Sequence, residues 1–243
     1  MMCLLFKTRY RNTVASSFRR SHRGAGKSGH TARSQAAGQV RIIAGRWRGR
    51  KLSVPDVAGL RPTGERVRET VFNWLQAHVA GSHCLDLFAG SGALGFEALS
   101  RSAQSVTFVE PDTVAMRNLN QSCQLLDITL IDNNEPAVDF REVTAAKTCL
   151  YTGTAQQALK HWSHVDEIPK FDLVFIDPPF KMGCQWDMLA QLVPALLADA
   201  ALVYIESPFT QLPPEELPDG CEIVREKRFG DVTARLVRFT MTA

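Results

Sequence analysis

The sequence predicts an α/β fold in which a mostly parallel sheet carries helices on both faces and ends in an antiparallel hairpin. From residue 83 onward, short apolar runs alternate with segments of helical periodicity, which is the pattern of consecutive βαβ units. Two runs of alternating polarity around Gly230 and Asp231 predict the hairpin. Hydrophobic residues make up 45% and charged residues 22% of the chain, as in an ordinary globular domain.

The first elements lie in a basic segment ahead of the sheet. At Val40 the run QVRIIA predicts a short strand, and GRWRGRKL continues it as a basic loop or hairpin. Residues 65–79 are predicted to form the first helix, which Gly81 ends. The apolar stripe of this helix consists of Val67, Val71, Trp74, Leu75 and His78.

The sheet is predicted to have seven strands. Five of them are buried-strand candidates, at residues 83–88, 105–110, 149–153, 171–177 and 201–206, and the hairpin adds two. The helices between them are expected at 92–101, 113–126, 154–162 and 186–197. Residues 127–147 carry five acidic and two basic residues and are predicted to be an inserted, exposed loop.

Charge is distributed unevenly along the chain. Residues 1–51 contain thirteen Lys or Arg and no acid, while residues 52–243 contain the other fifteen basic and all twenty-five acidic residues. This predicts a basic, disordered extension at 1–38 and one domain at 39–243. The extension has three interpretations: an arm that binds a polyanion, a targeting peptide, or the product of a start codon placed too early.

Several protein classes are excluded by composition. The six cysteines contain no CxxC pair, so we expect neither a disulfide framework nor a metal site, and reduced thiols fit a cytoplasmic location. No apolar run approaches the roughly 18–20 residues needed to cross a bilayer, so no membrane partner is expected.

A glycine-rich loop follows the first buried strand. Gly90, Gly92 and Gly95 match G-x-G-x-x-G between a strand and a helix, where a cofactor can approach the backbone. The cofactor is either a dinucleotide or S-adenosylmethionine. Asp86 at the strand end favours the second, because a carboxylate attracts a sulfonium and an ammonium but repels a pyrophosphate.

Glu110 ends the second buried strand, twenty residues beyond Gly90. An acid at this position accepts hydrogen bonds from ribose hydroxyls. Its alternative role is to support the turn into the next helix, which Asp112 would cap.

The run Asp177-Pro178-Pro179-Phe180 follows the strand FDLVFID. Two prolines make this loop rigid at the carboxyl edge of the sheet. The Asp177 carboxylate and the Pro178 carbonyl are expected to accept the two N–H groups of a nucleobase amine, with Phe180 stacked on the base. The alternative for Phe180 is an aromatic core residue.

Four ordered motifs carry a family resemblance. RIIAGRWRGRKL, LRPTGERVRETVFNWL, CLDLFAGSGALGFEALSR and VFIDPPF resemble the bacterial small-subunit (16S) ribosomal RNA guanine-N2-methyltransferases of the RsmD type, over Val40 to about Phe239. The resemblance implies a Rossmann-like class I methyltransferase that uses S-adenosylmethionine. It also implies a guanine substrate in an assembling 30S particle, and we expect a monomer.

The resemblance also implies roles for individual residues. The cofactor loop would comprise Asp86, Ala89, Gly90, Ser91, Gly92 and Gly95, with Glu110 on the ribose. Thr63 and Arg61 would close over the methionine end of the cofactor, where the Arg61 guanidinium could bind a carboxylate or a phosphate through two N–H groups. RNA would contact Arg46, Trp47, Arg48, Arg50, Lys51, Arg61, Arg66 and Arg68. The alternative for Trp47 is a place in the hydrophobic core. The alternative for Arg66 and Arg68 is that they only form the solvent-exposed face of the first helix.

The chain departs from the family pattern at Thr154 and Ala155, which occupy the place where related enzymes carry an acid or amide for the adenine. Three other functions are compatible with the sequence: an adenine-N6 methyltransferase on RNA or DNA, a nucleotide-dependent oxidoreductase, and a non-catalytic RNA-binding assembly factor.

Overall fold

A short antiparallel hairpin and a helix precede the sheet in the computed structural model, which describes residues 38–57, 62–131, 147–163, 170–192 and 196–241. The hairpin pairs β1 (Gln39–Arg41) with β2 (Lys51–Ser53), and α1 spans Glu65–Trp74. All described residues fall within one structural unit, 36–243. The predicted extension at 1–38 lies almost entirely outside them, so the domain boundary stays a prediction.

Within the described segments, the main sheet contains eight strands. They are β3 (His83–Asp86), β4 (Ser105–Glu110), β5 (Thr129–Ile131), β6 (Lys147–Thr152), β7 (Phe171–Ile176), β8 (Leu197–Pro208), β9 (Cys221–Phe229) and β10 (Val232–Phe239). Their order across the sheet is β5-β6-β4-β3-β7-β8-β10-β9. All neighbours are parallel except β10, which is antiparallel to both β8 and β9.

The prediction of seven strands was therefore wrong by one edge strand. The strand β5 lies within the segment predicted to be an inserted loop, and residues 132–146 of that segment lie outside the described residues. With three residues and little burial, β5 has neither the length nor the apolar run that identifies a buried strand. The C-terminal hairpin around Gly230 and Asp231 is confirmed.

Helices cover both faces of the sheet, as predicted. They are α2 (Ala93–Ser100), α3 (Thr113–Leu125), α4 (Ala155–Trp162) and α5 (Gln185–Leu192). Apolar residues of α1, α2 and α3 share one core cluster with Phe108 and Phe175, while α4 and α5 share the other with Val174 and Ile176. Alternate residues of β7 thus serve opposite faces. None of the helices in the described segments could span a membrane.

The third glycine of the loop allows α2 to pack closely on the sheet. A Cβ placed on Gly95 would lie 2.2 Å from the Phe108 ring, so a larger residue would push the helix away. Gly92 precedes α2 with a φ of 75°, a left-handed conformation that favours glycine.

A buried carboxylate joins the N-terminal segments to the sheet domain. Glu97, in α2, accepts the backbone N–H groups of Ile43 at 2.8 Å and Ala44 at 3.0 Å. It also accepts the Arg101 guanidinium at 2.8 Å and lies 3.5 Å from that of Arg68. Arg68 in turn donates to the backbone carbonyls of Thr63 at 3.2 Å and Arg41 at 3.0 Å.

Substitution Glu97→Gln should lower the free energy of unfolding by about 3–5 kcal/mol, because it leaves the buried Arg68 guanidinium without its counter-charge. Urea unfolding followed by circular dichroism measures the change. The control is Glu65→Gln, which removes an exposed pair with Arg41 and should cost less than about 1 kcal/mol. Equal effects of the two substitutions would contradict a dominant role for Glu97.

Candidate active site

Four carboxylates meet at the carboxyl edge of the parallel strands. Asp86 ends β3, Glu110 ends β4, Asp177 follows β7, and Glu206 lies near the end of β8. The strand register aligns Asp86 with Phe108 and Phe175, and Phe175 with Tyr204. Since side chains two residues apart share a face, all four acids lie on the face that α1, α2 and α3 cover.

Asp86 is buried at the foot of the glycine loop. Its Oδ2 accepts the backbone N–H of Gly95 at 3.2 Å. Burial is the main reason that the pKa of Asp86 rises to about 7, and the nearby charges of Asp177 and Glu110 raise it further. A carboxyl with this pKa ionises more readily when a cation lies beside it.

Glu110 holds the glycine loop in place. Its Oε2 accepts the backbone N–H of Gly90 at 2.8 Å, and its Oε1 accepts that of Asp112 at 2.8 Å. Burial raises the pKa of Glu110, and these two hydrogen bonds oppose the rise. The turn-supporting role of Glu110 is therefore confirmed. Each carboxylate oxygen has a second lone pair, so the predicted ribose contact stays compatible with these bonds.

The remaining residues predicted for the cofactor lie around this loop. Ala89 and Ser91 are buried, and the Ala89 N–H donates to the Val109 carbonyl at 3.0 Å. Thr154 caps α4 through a capping box with Gln157 and is followed by the buried Ala155. Because Gly153 N–H donates to the Glu110 carbonyl, these residues lie near the end of β4. Their cofactor contacts stay predictions.

The rigid loop after β7 presents Asp177 and Phe180. Oδ2 of Asp177 accepts a hydrogen bond from the Thr63 hydroxyl at 2.6 Å, and the residue is half-buried. Burial raises the pKa of Asp177 to about 6, and the Thr63 hydrogen bond limits that rise. Phe180 begins a 3₁₀ turn (Phe180–Met182) and is 44% exposed, so the alternative of a core aromatic is wrong.

Thr63 thus lies at the site, although its observed partner is Asp177. The hydrogen bond fixes one oxygen of the carboxylate and leaves Oδ1 to other donors. Arg61, its predicted companion, lies outside the described residues.

The sequence reasoning missed Tyr204 and Glu206. The buried Tyr204 hydroxyl donates to Glu206 Oε2 at 2.6 Å. Burial raises the pKa of Glu206 to about 8, and the charge of Asp177 contributes to the rise. The signal was available in ALVYIE, because this strand ends in an acid just as the strands ending at Asp86 and Glu110 do.

Two residues predicted to bind RNA do not face the solvent. Trp47 is 7% exposed and packs in the core, so its core alternative is correct. Arg68 is 2% exposed, and its guanidinium is bound to Glu97 and to two carbonyls. The predicted RNA contact of Arg68 and its alternative, an exposed helix face, are therefore both wrong. The side chains of Arg46, Arg48, Arg50, Lys51 and Arg66 are exposed, as an RNA surface requires.

The loop that carries these basic residues is anchored to the end of α2. Backbone N–H groups of Arg46 and Trp47 donate to the Ser100 carbonyl at 2.7 Å and hydroxyl at 3.0 Å. Gly45 has a φ of 81°, and a Cβ there would lie 1.8 Å from the Ser100 carbonyl oxygen. The basic side chains therefore project from a fixed backbone.

Known proteins resemble the chain over nearly all of its predicted domain. The family model described as conserved hypothetical protein 95 matches residues 40–238. A protein of Haemophilus influenzae named ribosomal RNA small subunit methyltransferase D is 42% identical over 83% of this chain and 94% of its own length. The protein of that name from Escherichia coli is 41% identical over 82% of this chain and 90% of its own length.

A solved structure agrees with these relatives. A putative methyltransferase from Escherichia coli has a TM-score of 0.67 and 37% identity, and the match covers 84% of this chain and 99% of that one. The Rossmann-like methyltransferase fold is thereby confirmed. Since the family model spans most of the chain and both relatives exceed 40% identity, the chain belongs to the conserved hypothetical protein 95 family and is a methyltransferase.

Proposed function

We propose that the chain methylates the exocyclic N2 amine of a guanine in small-subunit ribosomal RNA. The family supports S-adenosylmethionine-dependent methylation of ribosomal RNA, and the target atom is the finer part of the proposal. The observation that carries it is the Asp177 carboxylate, which Thr63 holds by one oxygen in the same loop that exposes the ring of Phe180.

The chemistry of the acids fits the cofactor. S-Adenosylmethionine, when bound, supplies a methyl group on a positively charged sulfur. The buried acids Asp86 and Glu206 and the half-buried Asp177 all have raised pKa values, which is the electrostatic signature of a site that a cation completes. A pyrophosphate would add negative charge to the same cluster, so this arrangement disfavours a nucleotide-dependent oxidoreductase.

Asp177 and Pro178 are assigned to the target amine. The lone pair of a guanine N2 amine is delocalised into the ring, so the amine is a poor nucleophile. Hydrogen bonds from its two N–H groups to Asp177 Oδ1 and the Pro178 carbonyl would turn the lone pair toward the methyl group. Phe180, exposed beside them, would stack on the base once it leaves its helix or loop.

The reaction leaves one proton to be removed. Transfer of the methyl group from the sulfur to the amine nitrogen would leave that nitrogen cationic, so it would then have to lose a proton. Asp177, hydrogen-bonded to that N–H, accepts the proton or passes it to water, so the site does not need a stronger base. Ionised Asp177 is the active form.

The setting of the reaction is also part of the proposal. The relatives are named for the small ribosomal subunit, and this chain carries exposed arginines on its anchored basic loop. We propose that it acts as a monomer on an assembling 30S particle in the cytoplasm. Residues predicted to hold the cofactor and the ribose keep those roles in this proposal.

The product identifies the target atom. Small-subunit RNA treated with the protein and S-adenosylmethionine, and then digested to nucleosides, should contain N2-methylguanosine by mass spectrometry. The same digest from untreated RNA is the control. Methyl groups on adenine N6 would replace the guanine proposal with the adenine alternative, and active protein that modifies neither base would contradict both.

Substitution Asp177→Ala should lower methyl transfer by at least about 10²-fold, because the amine loses an acceptor that aligns it. The dissociation constant for S-adenosylmethionine, measured by calorimetry, should change only a few-fold, because Asp86 and Glu206 remain to face the cationic cofactor. The control is Asp187→Ala, which removes an exposed carboxylate on α5 and should leave both quantities unchanged. An equal loss of transfer and cofactor binding would assign Asp177 to the cofactor instead.

The cofactor-free protein should become less stable as pH rises from about 4 to 8. Carboxyls whose pKa is raised in the folded state contribute stability below their unfolded pKa, and lose it as pH passes the folded values of about 6 to 8. Glu206→Gln, which does not ionise, should gain about 4 kcal/mol relative to the wild type between pH 5 and pH 9, because the wild type loses about 1.4 kcal/mol for each pH unit up to the folded pKa.

Urea unfolding at several pH values measures this difference. The control Glu216→Gln removes an exposed carboxyl and should follow the wild-type curve. Parallel curves for Glu206→Gln and the wild type would show that Glu206 does not change its protonation over this range.

A further inference from the structure

A groove opens beside the site, between the start of α1 and the turn of the C-terminal hairpin. One wall consists of Gly64, Glu65, Arg66 and Val67, and the other of Arg228, Phe229 and Gly230. The hairpin carries no predicted function beyond completing the sheet.

Both walls of the groove continue directly from the site. Gly64 follows Thr63, whose hydroxyl lies 2.6 Å from Asp177. On the other side, β8 runs from Glu206 to Pro208, and Pro208 pairs with Val232 next to the hairpin turn. A polymer that places one residue against Asp177 therefore has its neighbouring residues near this groove.

Charge and stacking in the groove suit a nucleic acid. Arg66 is exposed on one wall. The Arg228 guanidinium lies 3.7 Å from the centre of the Phe209 ring, and its Nε donates to the Gly230 carbonyl at 2.7 Å. A planar guanidinium held in this way keeps outward N–H groups for phosphate oxygens. Among the described residues that line the groove, Glu65 is the one acid, and it is paired with Arg41 at 2.8 Å, which offsets its charge.

We propose that this groove binds the RNA backbone next to the target nucleotide, with Arg66 and Arg228 on its phosphates. The proposal rests on the proposed function, because the occupant is the RNA that carries the target guanine. It extends the RNA surface from the basic N-terminal loop to the C-terminal hairpin. Phosphate contacts of this kind fix the register of the substrate, while the base is read elsewhere.

The test is the salt dependence of RNA binding by the full chain. The probe is small-subunit ribosomal RNA transcribed in vitro, and its affinity is measured by filter binding between about 50 and 300 mM NaCl. The double variant Arg66→Gln/Arg228→Gln should bind about tenfold more weakly at 100 mM NaCl. Its slope of log affinity against log salt should fall by about 1 to 2, since each lost phosphate contact removes roughly 0.7–0.9.

Two further variants separate a groove contact from other effects. Arg225→Gln removes the same charge from an exposed position of β9 that does not line the groove, and should change the slope by less than half as much. Arg66→Lys/Arg228→Lys keeps both charges and should bind within about threefold of the wild type. An unchanged slope in the Gln double variant, or an equal loss in Arg225→Gln, would overturn the proposal.

The outcome is separable from that of the proposed function. Wild-type protein that yields N2-methylguanosine establishes the reaction whatever the groove variants do. Cofactor affinity and melting temperature of the Gln double variant should match the wild type. A groove variant that loses cofactor binding together with RNA binding would mean that the hairpin turn supports the fold rather than the substrate.

Discussion

The buried ion pair between Glu97 and Arg68 is the interaction on which the candidate site depends. Both side chains are almost fully removed from water, so each must be bound on every side to avoid a large desolvation penalty. Arg68 satisfies this requirement by binding the Thr63 carbonyl, and the Thr63 hydroxyl binds Asp177. The position of Asp177 is thus set from two directions, by the sheet and by the segment ahead of α1.

The acids at the sheet edge show a conflict between stability and function. A parallel sheet brings the carboxyl ends of its strands together, and in this chain three of those ends carry acids whose pKa values are raised mainly by removal from water. Such a cluster does not stabilise an unliganded protein, because its members repel one another when ionised. A cationic cofactor would offset this repulsion, which explains the arrangement. For the same reason, the cluster favours the positively charged sulfonium of S-adenosylmethionine over the negatively charged pyrophosphate of a dinucleotide.

The RNA surface depends on how its charges are held. Arg46 projects from a backbone that hydrogen bonds and a close glycine contact fix to α2. Trp47, buried beneath the Arg46 guanidinium at 5.3 Å, anchors this loop rather than stacking on a base. At the C-terminal hairpin, the Phe209 ring lies 3.7 Å from the Arg228 guanidinium and supports it in a similar way. Aromatic residues therefore act as supports for arginines on both parts of the surface.

The sequence by itself determined most of the elements, the glycine loop, and the acids that end the strands at Asp86 and Glu110. Periodicity reveals buried strands and amphipathic helices because burial acts on neighbouring residues, and the glycines and the Asp177-Pro178-Pro179-Phe180 run are contiguous. Only the tertiary structure decided which isolated charges were buried. Arg68 looks like any helix-surface arginine, and Glu206 like the end of one more strand. Their roles come from partners far away in the chain, Glu97 for one and Asp177 for the other, which local patterns do not encode.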